Sequence, residues 1–329
     1  MVTRLLTHPA CLEHKTPPGH PERVDRLRAI NRVLQHPAFA ALDRKEAPLG
    51  EDEDIARAHA EDYIRSIRRA VPDPDREWQQ LDPDTWMSPG SLEAALRGVG
   101  AATAASDAVF TGEAANAFCA IRPPGHHAEP RRAMGFCLFS NAAIAALHAR
   151  ARYNAERIAV VDFDVHHGNG TQEIFWSDRN LLYGSTHQMP LYPGTGAVSE
   201  TGVGNIFNAP LRAGDGSDRF REAMRAVILP AVNAFRPDLI VISAGFDAHR
   251  SDPLGGLELT EADFVWATLH MMELADKHAQ GRVVSVLEGG YDLTALSTSV
   301  GAHVQALMRG SGEVQRVEAA EKDEDEIHD

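Results

Sequence analysis

Cysteine is scarce in this chain. Its 329 residues include three cysteines, Cys11, Cys119 and Cys137, with no Cys-x-x-Cys spacing. That excludes a disulfide framework and a thiolate zinc site, and it suits a reducing compartment, so a cytoplasmic location is expected. Long apolar runs are missing as well: none approaches the ~20 residues of a membrane span. The opening stretch 1–8 is too short and too polar for a signal peptide and is predicted to be a first strand. Positive charge is in deficit, with 32 Lys and Arg against 47 Asp and Glu and a formal net charge of −15. Such a balance argues against sequence-blind nucleic-acid binding and mildly favours cationic substrates. Part of the negative charge is a tail at 318–329, expected to be disordered, so the folded domain is expected to span 1–311 and the acidic end 312–329.

What the chain does have is alternation. Apolar residues make up 43% of it, enough for a sizeable core. Short apolar runs at 117–121, 157–163, 181–185, 239–243 and 282–287 are predicted strands. Periodic segments at 21–35, 53–70, 92–110, 142–152, 217–235, 260–278 and 293–308 are predicted helices, with a kink at Pro230. The stretches 9–20, 71–90 and 187–216 are expected to be loops. No repeat or linker divides the chain. Strands alternating with helices imply an α/β fold in a single domain, a mostly parallel sheet with helices on both faces. Ligands of such sheets bind outside the carboxyl ends of the strands.

Four predicted strands end in reactive or glycine-rich sequence: His126-His127, the run Asp162 to His166, Asp247, and Gly289-Gly290-Tyr291. Within 160–170 (VVDFDVHHGNG), Asp162, Asp164 and His166 are spaced by two, so in an extended segment they share one face. An acidic strand end that caps a helix is the plainer alternative. Carboxylates on one side of a buried strand, however, are seldom kept without a partner.

Asp164, His166 and Asp247 together offer two carboxylates and an imidazole, three ligands that leave a position open, as in catalytic zinc sites. The oxygen-rich set would also accept Fe(II) or Mn(II). A metal held there would acidify a water and polarise a carbonyl. His126 and His127 titrate near neutrality and suit acid–base work. Asp162 could orient one of them, and the Tyr291 phenol could donate to a developing oxyanion.

With these residues assembled, the chain resembles the histone deacetylase superfamily over about 5–308. The motifs that carry the resemblance are HPER (20–23), RPPGHHA (122–128), GFC (135–137), DFDVHHGNG (162–170), YPGTG (192–196), SAGFDAHRSDPLGG (243–256) and LEGGY (287–291). Jointly, in this order, they are highly specific. The resemblance implies the arginase/deacetylase fold and zinc-dependent hydrolysis of an N-acetyl amide. It places the metal on Asp164, His166 and Asp247, makes His127 the general base and then acid, and gives His126 a mainly electrostatic role with Asp162 behind it. Tyr291 would bind the substrate carbonyl.

The same resemblance implies structural potassium at Asp162, Asp164, His166, Ser185 and Thr186, and a second potassium near Phe175, Asp178 and Leu181. It implies an acyl-lysine channel walled by Phe136 and Tyr192, with Gly135, Leu254 and Gly289 lining it and Asp84 at the rim. Asn169 and Glu288 match the class II branch and its bacterial relatives. Since an asparagine supplies no negative charge, His127 is expected to titrate lower than it would beside an aspartate. The expected substrate is N-ε-acetyllysine in a protein or peptide. Leu254 stands where the polyamine-selective branch has a glutamate, which weakens an acetylpolyamine substrate. An arginase-like two-metal site lacks the extra aspartates, and an idle acyl-lysine binder would not keep all these residues. Neither nucleic acid nor membrane is an expected partner, while 9–20 and 71–90 could carry a homo-oligomer contact.

Overall fold

The computed structural model describes residues 2–73 and 75–313; the tail at 318–329 lies outside them. Among the described residues ten strands form: β1 (Thr3–Thr7), β2 (Asp43–Glu46), β3 (Gln79–Asp82), β4 (Thr85–Met87), β5 (Asn116–Cys119), β6 (Ile158–Asp162), β7 (Leu181–Gln188), β8 (Ile206–Leu211), β9 (Leu239–Ala244) and β10 (Val283–Leu287). Eight of them make one sheet in the order β2-β1-β5-β10-β9-β6-β7-β8, and every pairing in it is parallel. The four strands whose ends drew attention in the sequence, β5, β10, β9 and β6, are adjacent at its centre. Their apolar runs are buried throughout, as expected for strands covered on two faces.

Alternation along β5 shows that cover. The Phe118 ring meets His303 on one side, and the next residue, Cys119, lies 3.4 Å from the Ala101 carbonyl on the other. The helices concerned are among ten in the described residues: α1 (Val24–Leu34), α2 (Asp52–Ile55), α3 (Glu61–Arg69), α4 (Ser91–Thr111), α5 (Asn141–Tyr153), α6 (Asn169–Phe175), α7 (Ser217–Ala223), α8 (Leu229–Phe235), α9 (Glu261–His278) and α10 (Leu293–Arg309). Ala101 belongs to α4 and His303 to α10. Small residues let α4 pack closely: a Cβ on Gly100 would come within 2.0 Å of the Pro48 carbonyl oxygen. All three cysteines are free and buried. Among the described residues no helix is long and apolar enough to cross a membrane.

Several local expectations are corrected. The first helix opens at Val24 instead of residue 21, because Glu22 is drawn inward. The segment 53–70 breaks into α2 and α3 around His59, which is buried and accepts from the Ser140 amide. The supposed loop at 71–90 carries the β3–β4 hairpin, with Asp84 in its turn. The glycine- and proline-rich stretch after His187 contains the edge strand β8, and the opposite edge, β2, is the charged peptide Asp-Arg-Lys-Glu. Charge of that kind is what exposed sheet edges tolerate. Before Pro230 the helix makes a π turn, Met224–Ile228, and the proline falls in the first turn of α8, where a missing N–H costs least.

Glu22 joins the amino-terminal segment to the central strands. Its fully buried carboxylate meets Arg26 at 2.9 Å, the Arg122 guanidinium through two bonds, and His14 at 3.3 Å. Burial opposes its ionisation, but Arg122 and the neighbouring cations hold it well below the usual carboxylate range. A depressed folded-state pKa contributes stability above the unfolded value, about 4.3, and that contribution is lost as the pH falls toward the folded value. Glu22→Ala strands two buried arginines and is expected to lower unfolding free energy by about 3–5 kcal/mol, read from the urea midpoint at pH 7.

Candidate active site

The metal-ligand candidates lie just past the strands. β6 ends at Asp162, so Asp164 and His166 sit in the following turn and not on an extended face. Side-chain-to-backbone bonds shape that turn: the Asp164 amide donates to Asp162 Oδ1 at 3.1 Å, and the His166 amide to Asp164 Oδ1 at 2.9 Å. From the end of β9, Asp247 Oδ1 accepts the Val165 amide at 2.8 Å. The ligand atoms of Asp164, His166 and Asp247 consequently lie within 4.8 Å of one another, all buried.

Their chemistry fits a cation. His166 Nδ1 is 3.1 Å from both Asp164 Oδ1 and Asp247 Oδ2, close to the spacing of neighbours in a tetrahedral shell with ligands about 2.0–2.2 Å from zinc. Burial disfavours a charge on His166, but the two carboxylates push its pKa up to about 10. Burial and the Asp164 charge push Asp247 up to about 7. Burial works against ionised Asp164 too, yet His126 and His166 hold its carboxyl below the ordinary range. Two carboxylates thus converge on one nitrogen, a position that takes a proton or a metal in its place.

Gly289 makes the approach possible. Its amide donates to Asp164 Oδ2 at 2.8 Å, and a Cβ there would lie 2.1 Å from Asp247 Oδ2.

The tandem histidines follow β5, and they face different partners. Asp162 Oδ2 lies 2.9 Å from His126 Nδ1, and the same oxygen accepts the Tyr183 hydroxyl at 3.0 Å. Burial would lower the His126 pKa, but Asp164 and Asp162 raise it well above the ordinary histidine value. His127 Nδ1 instead meets Asn169 Oδ1 at 2.8 Å; burial and the neighbouring His126 push its pKa well down. One imidazole is therefore held charged and the next neutral.

Both sit on a loop fastened from below by Glu288, whose Oε2 accepts the Gly125 and His126 amides at 2.7 and 3.1 Å. Burial, opposed by His126, pushes the Glu288 carboxyl up to about 7. Tyr291 follows Gly290, its amide bonded to Asp252 Oδ2 at 2.6 Å and its ring 4.9 Å from the Arg26 guanidinium. Burial raises its pKa well above the usual value, so the phenol stays a donor.

A cavity of about 240 Å³ opens onto these groups, lined by Asp84, His127, Gly135, Phe136, His166, Leu191, Tyr192, Leu254 and Tyr291. Gly135 has φ +55°, and a Cβ there would lie 2.3 Å from the His127 ring. Asp84 Oδ1 accepts the Gly135 amide at 3.1 Å. Every channel residue expected from sequence lines this cavity except Gly289, which lies behind the carboxylates. Leu191, Glu288, Asp252 and Tyr183 were not anticipated as site residues. Glu288 had a signal in its place beside Gly289 in LEGGY, and Asp252 in its place within SAGFDAHRSDPLGG; Leu191 and Tyr183 had none.

The two potassium positions differ. Near the first, Ser185 Oγ pairs with His187 Nδ1 at 2.9 Å, and Thr186 Oγ1 is buried without a hydrogen-bond partner, so an unsatisfied oxygen is present. At the second, the three carbonyls have a side-chain partner. The carbonyls of Phe175, Asp178 and Leu181 do converge, at 2.9, 3.0 and 2.6 Å, but on the side-chain amide nitrogen of Asn205.

Residues 20–307 match the histone deacetylase domain family. A probable deacetylase of Archaeoglobus fulgidus is 38% identical over 320 residues, covering 94% of this chain and 87% of that protein. A histone deacetylase-like amidohydrolase of Pseudomonas aeruginosa is 42% identical over 279 residues, 83% of this chain and 73% of that one. Among solved structures, the HDA15 HD domain is similar with a TM-score of 0.88 at 35% identity, covering 96% of this chain and 92% of that chain.

The approach at Gly289 generates a test. Gly289→Ala is expected to displace the Asp247 carboxylate and to lose the bound metal on desalting, with an unchanged circular dichroism spectrum. Full metal content by atomic emission would contradict the tight geometry.

Proposed function

The chain belongs to the histone deacetylase family, and we propose that it is a zinc-dependent hydrolase that removes an acetyl or related acyl group from an amine. The proposed substrate is N-ε-acetyllysine in a peptide or protein. The observation that carries this reading is the cavity, whose apolar side walls, Phe136, Leu191, Tyr192 and Leu254, lead to His127, His166 and Tyr291. A slot of that make accepts an uncharged four-carbon stem and brings its terminal amide to groups able to transfer protons.

Asp164, His166 and Asp247 would hold the metal, which when bound supplies Lewis acidity to a water and to the scissile carbonyl. Zinc suits the three-ligand set, and the oxygen-rich donors would also accept Fe(II). His127, kept neutral, takes a proton from the attacking water and returns it to the departing amine. His126, kept charged by Asp162, stabilises the negative charge that develops beside it. Tyr291 donates its phenolic hydrogen to the carbonyl oxygen as that oxygen becomes negative. Phe136 and Tyr192 hold the acyl-lysine stem, and Asp84 at the hairpin turn supplies the carboxylate at the mouth. A structural potassium held through Asp162, Asp164, His166, Ser185 and Thr186 completes the reading.

An acetylpolyamine would use the same chemistry, but the ammonium at the far end of its stem needs an anionic partner near the mouth. Leu254 supplies none, and Asp84 is the sole carboxylate among the lining residues. Comparing an acetyllysine peptide with acetylputrescine separates the two, with the peptide expected to give the higher kcat/KM. Tyr291→Phe is expected to lower kcat by about 10²–10³-fold with little change in KM, and Asp247→Ala to abolish both bound metal and turnover. Full activity in Asp247→Ala would end the metal-hydrolase reading. Because His127 is held below the ordinary histidine value, the acid limb of kcat/KM is expected below pH about 6.5.

A further inference from the structure

An asparagine amide can point either way, and the choice decides what its neighbour must do. Asn169 Nδ2 lies 2.7 Å from Glu129 Oε1. An ionised carboxylate only accepts, so the NH2 end of the amide has to face Glu129. The same nitrogen lies 3.3 Å from Met134 Sδ, a weak acceptor that agrees with this orientation. Asn169 Oδ1 is then left to face His127 Nδ1 at 2.8 Å, and that nitrogen has to carry the hydrogen. His127 Nε2 remains bare.

We propose that Glu129 is a positioning residue: acting through Asn169, it sets the direction of the hydrogen-bond chain and thereby selects the His127 tautomer whose Nε2 can accept a proton. The inference rests on the hydrolase reading above only in treating His127 as the proton acceptor.

Glu129 is placed firmly enough for this task. Its amide donates to the Arg132 carbonyl at 3.0 Å, and its own carbonyl lies 3.0 Å from His59 Nδ1. The direction of that contact is fixed as well. His59 Nε2 accepts the Ser140 amide at 2.9 Å, so Nδ1 is the protonated nitrogen and donates to Glu129. Arg132 and Glu173 are charged groups close enough to feel its carboxylate.

The same geometry gives a reason for the amide at 169. An aspartate there would place its carboxylate against that of Glu129, at the 2.7 Å now spanned by a hydrogen bond. Asn169 and Glu129 are therefore a matched pair, and a change in either calls for the complementary change in the other. Residue 129 directly follows the RPPGHHA motif, and no spacing marks it as part of a site.

The test is a reciprocal exchange in the metal-loaded full-length protein. Glu129→Gln offers both a donor and an acceptor, so the Asn169 amide loses its fixed direction. The expectation is a fall in kcat of about tenfold, with KM within about twofold and the melting temperature little changed. Asn169→Asp alone sets two carboxylates together and is expected to lose at least as much. In the double variant Glu129→Gln/Asn169→Asp, the carboxylate introduced at position 169 accepts from His127, and the side-chain amide introduced at position 129 donates to that carboxylate. Activity is expected to return to within about threefold of wild type.

Nitrogen-15 NMR of the His127 ring reads the tautomer directly. Wild type and the double variant should show Nδ1–H alone, and Glu129→Gln a mixture. Losses that simply multiply in the double variant would overturn the proposal, as would a wild-type tautomer pattern in Glu129→Gln. An inactive wild type would sink the hydrolase reading instead, and the ring spectra would still decide this inference.

Discussion

Two buried carboxylates meeting at one point, Asp164 and Asp247, are the constraint around which this molecule is arranged. Unpaired, they would cost more than a fold of this size can spare. The structure offsets them with three backbone donors from two strand ends: the His166 and Gly289 amides on Asp164, and the Val165 amide on Asp247. A parallel sheet makes this possible, because the chain leaves its central strands at the same edge with amide groups no longer committed to a ladder. Gly289 belongs to the same solution, since a Cβ at that position would lie 2.1 Å from Asp247 Oδ2. The charge that remains is what a cation answers.

A second ring of buried charge supports the first from behind. Glu22 gathers Arg26 and Arg122, and Arg26 continues to the carbonyls of Gly290 and Glu288 at 2.6 and 2.5 Å. The amino-terminal segment is thereby tied to the loop that carries Tyr291. Glu288 in turn ties that strand end to the histidine loop. Proton-handling groups from different strands are held in register by ionic contacts far more directional than apolar packing. The apolar core fixes the sheet; these contacts fix the rim.

How far the sequence revealed this follows from where each signal lives. The rim was legible because reactive residues ended four apolar runs, and apolar runs that long are hard to mistake. The convergence of Asp164 and His166 was foreseen through extended alternation. In fact it depends on a turn built by aspartate-to-amide bonds, so the two side chains converge for a different reason. β2 was missed because an edge strand needs little apolar character, and β8 because its short apolar run holds an asparagine and a proline inside a glycine- and proline-rich stretch. The Asn205 amide was missed because contacts to backbone carbonyls leave no trace in residue type. Glu129 was missed for a related reason: its effect passes through Asn169, and a chain of hydrogen bonds has no sequence period.

The histidine pair shows why such indirect contacts matter. His126 and His127 are adjacent, chemically identical and both almost fully buried, so nothing intrinsic distinguishes them. What separates them is the atom behind each ring. An aspartate oxygen behind His126 favours the imidazolium, and an amide oxygen behind His127 favours the neutral ring with a defined tautomer. Desolvation acts on both alike and cannot supply the difference. The division of labour between two like residues therefore originates in β6 and the start of α6, where Asp162 and Asn169 stand seven positions apart in the sequence. The short run that anchors the metal-ligand candidates also assigns the protons.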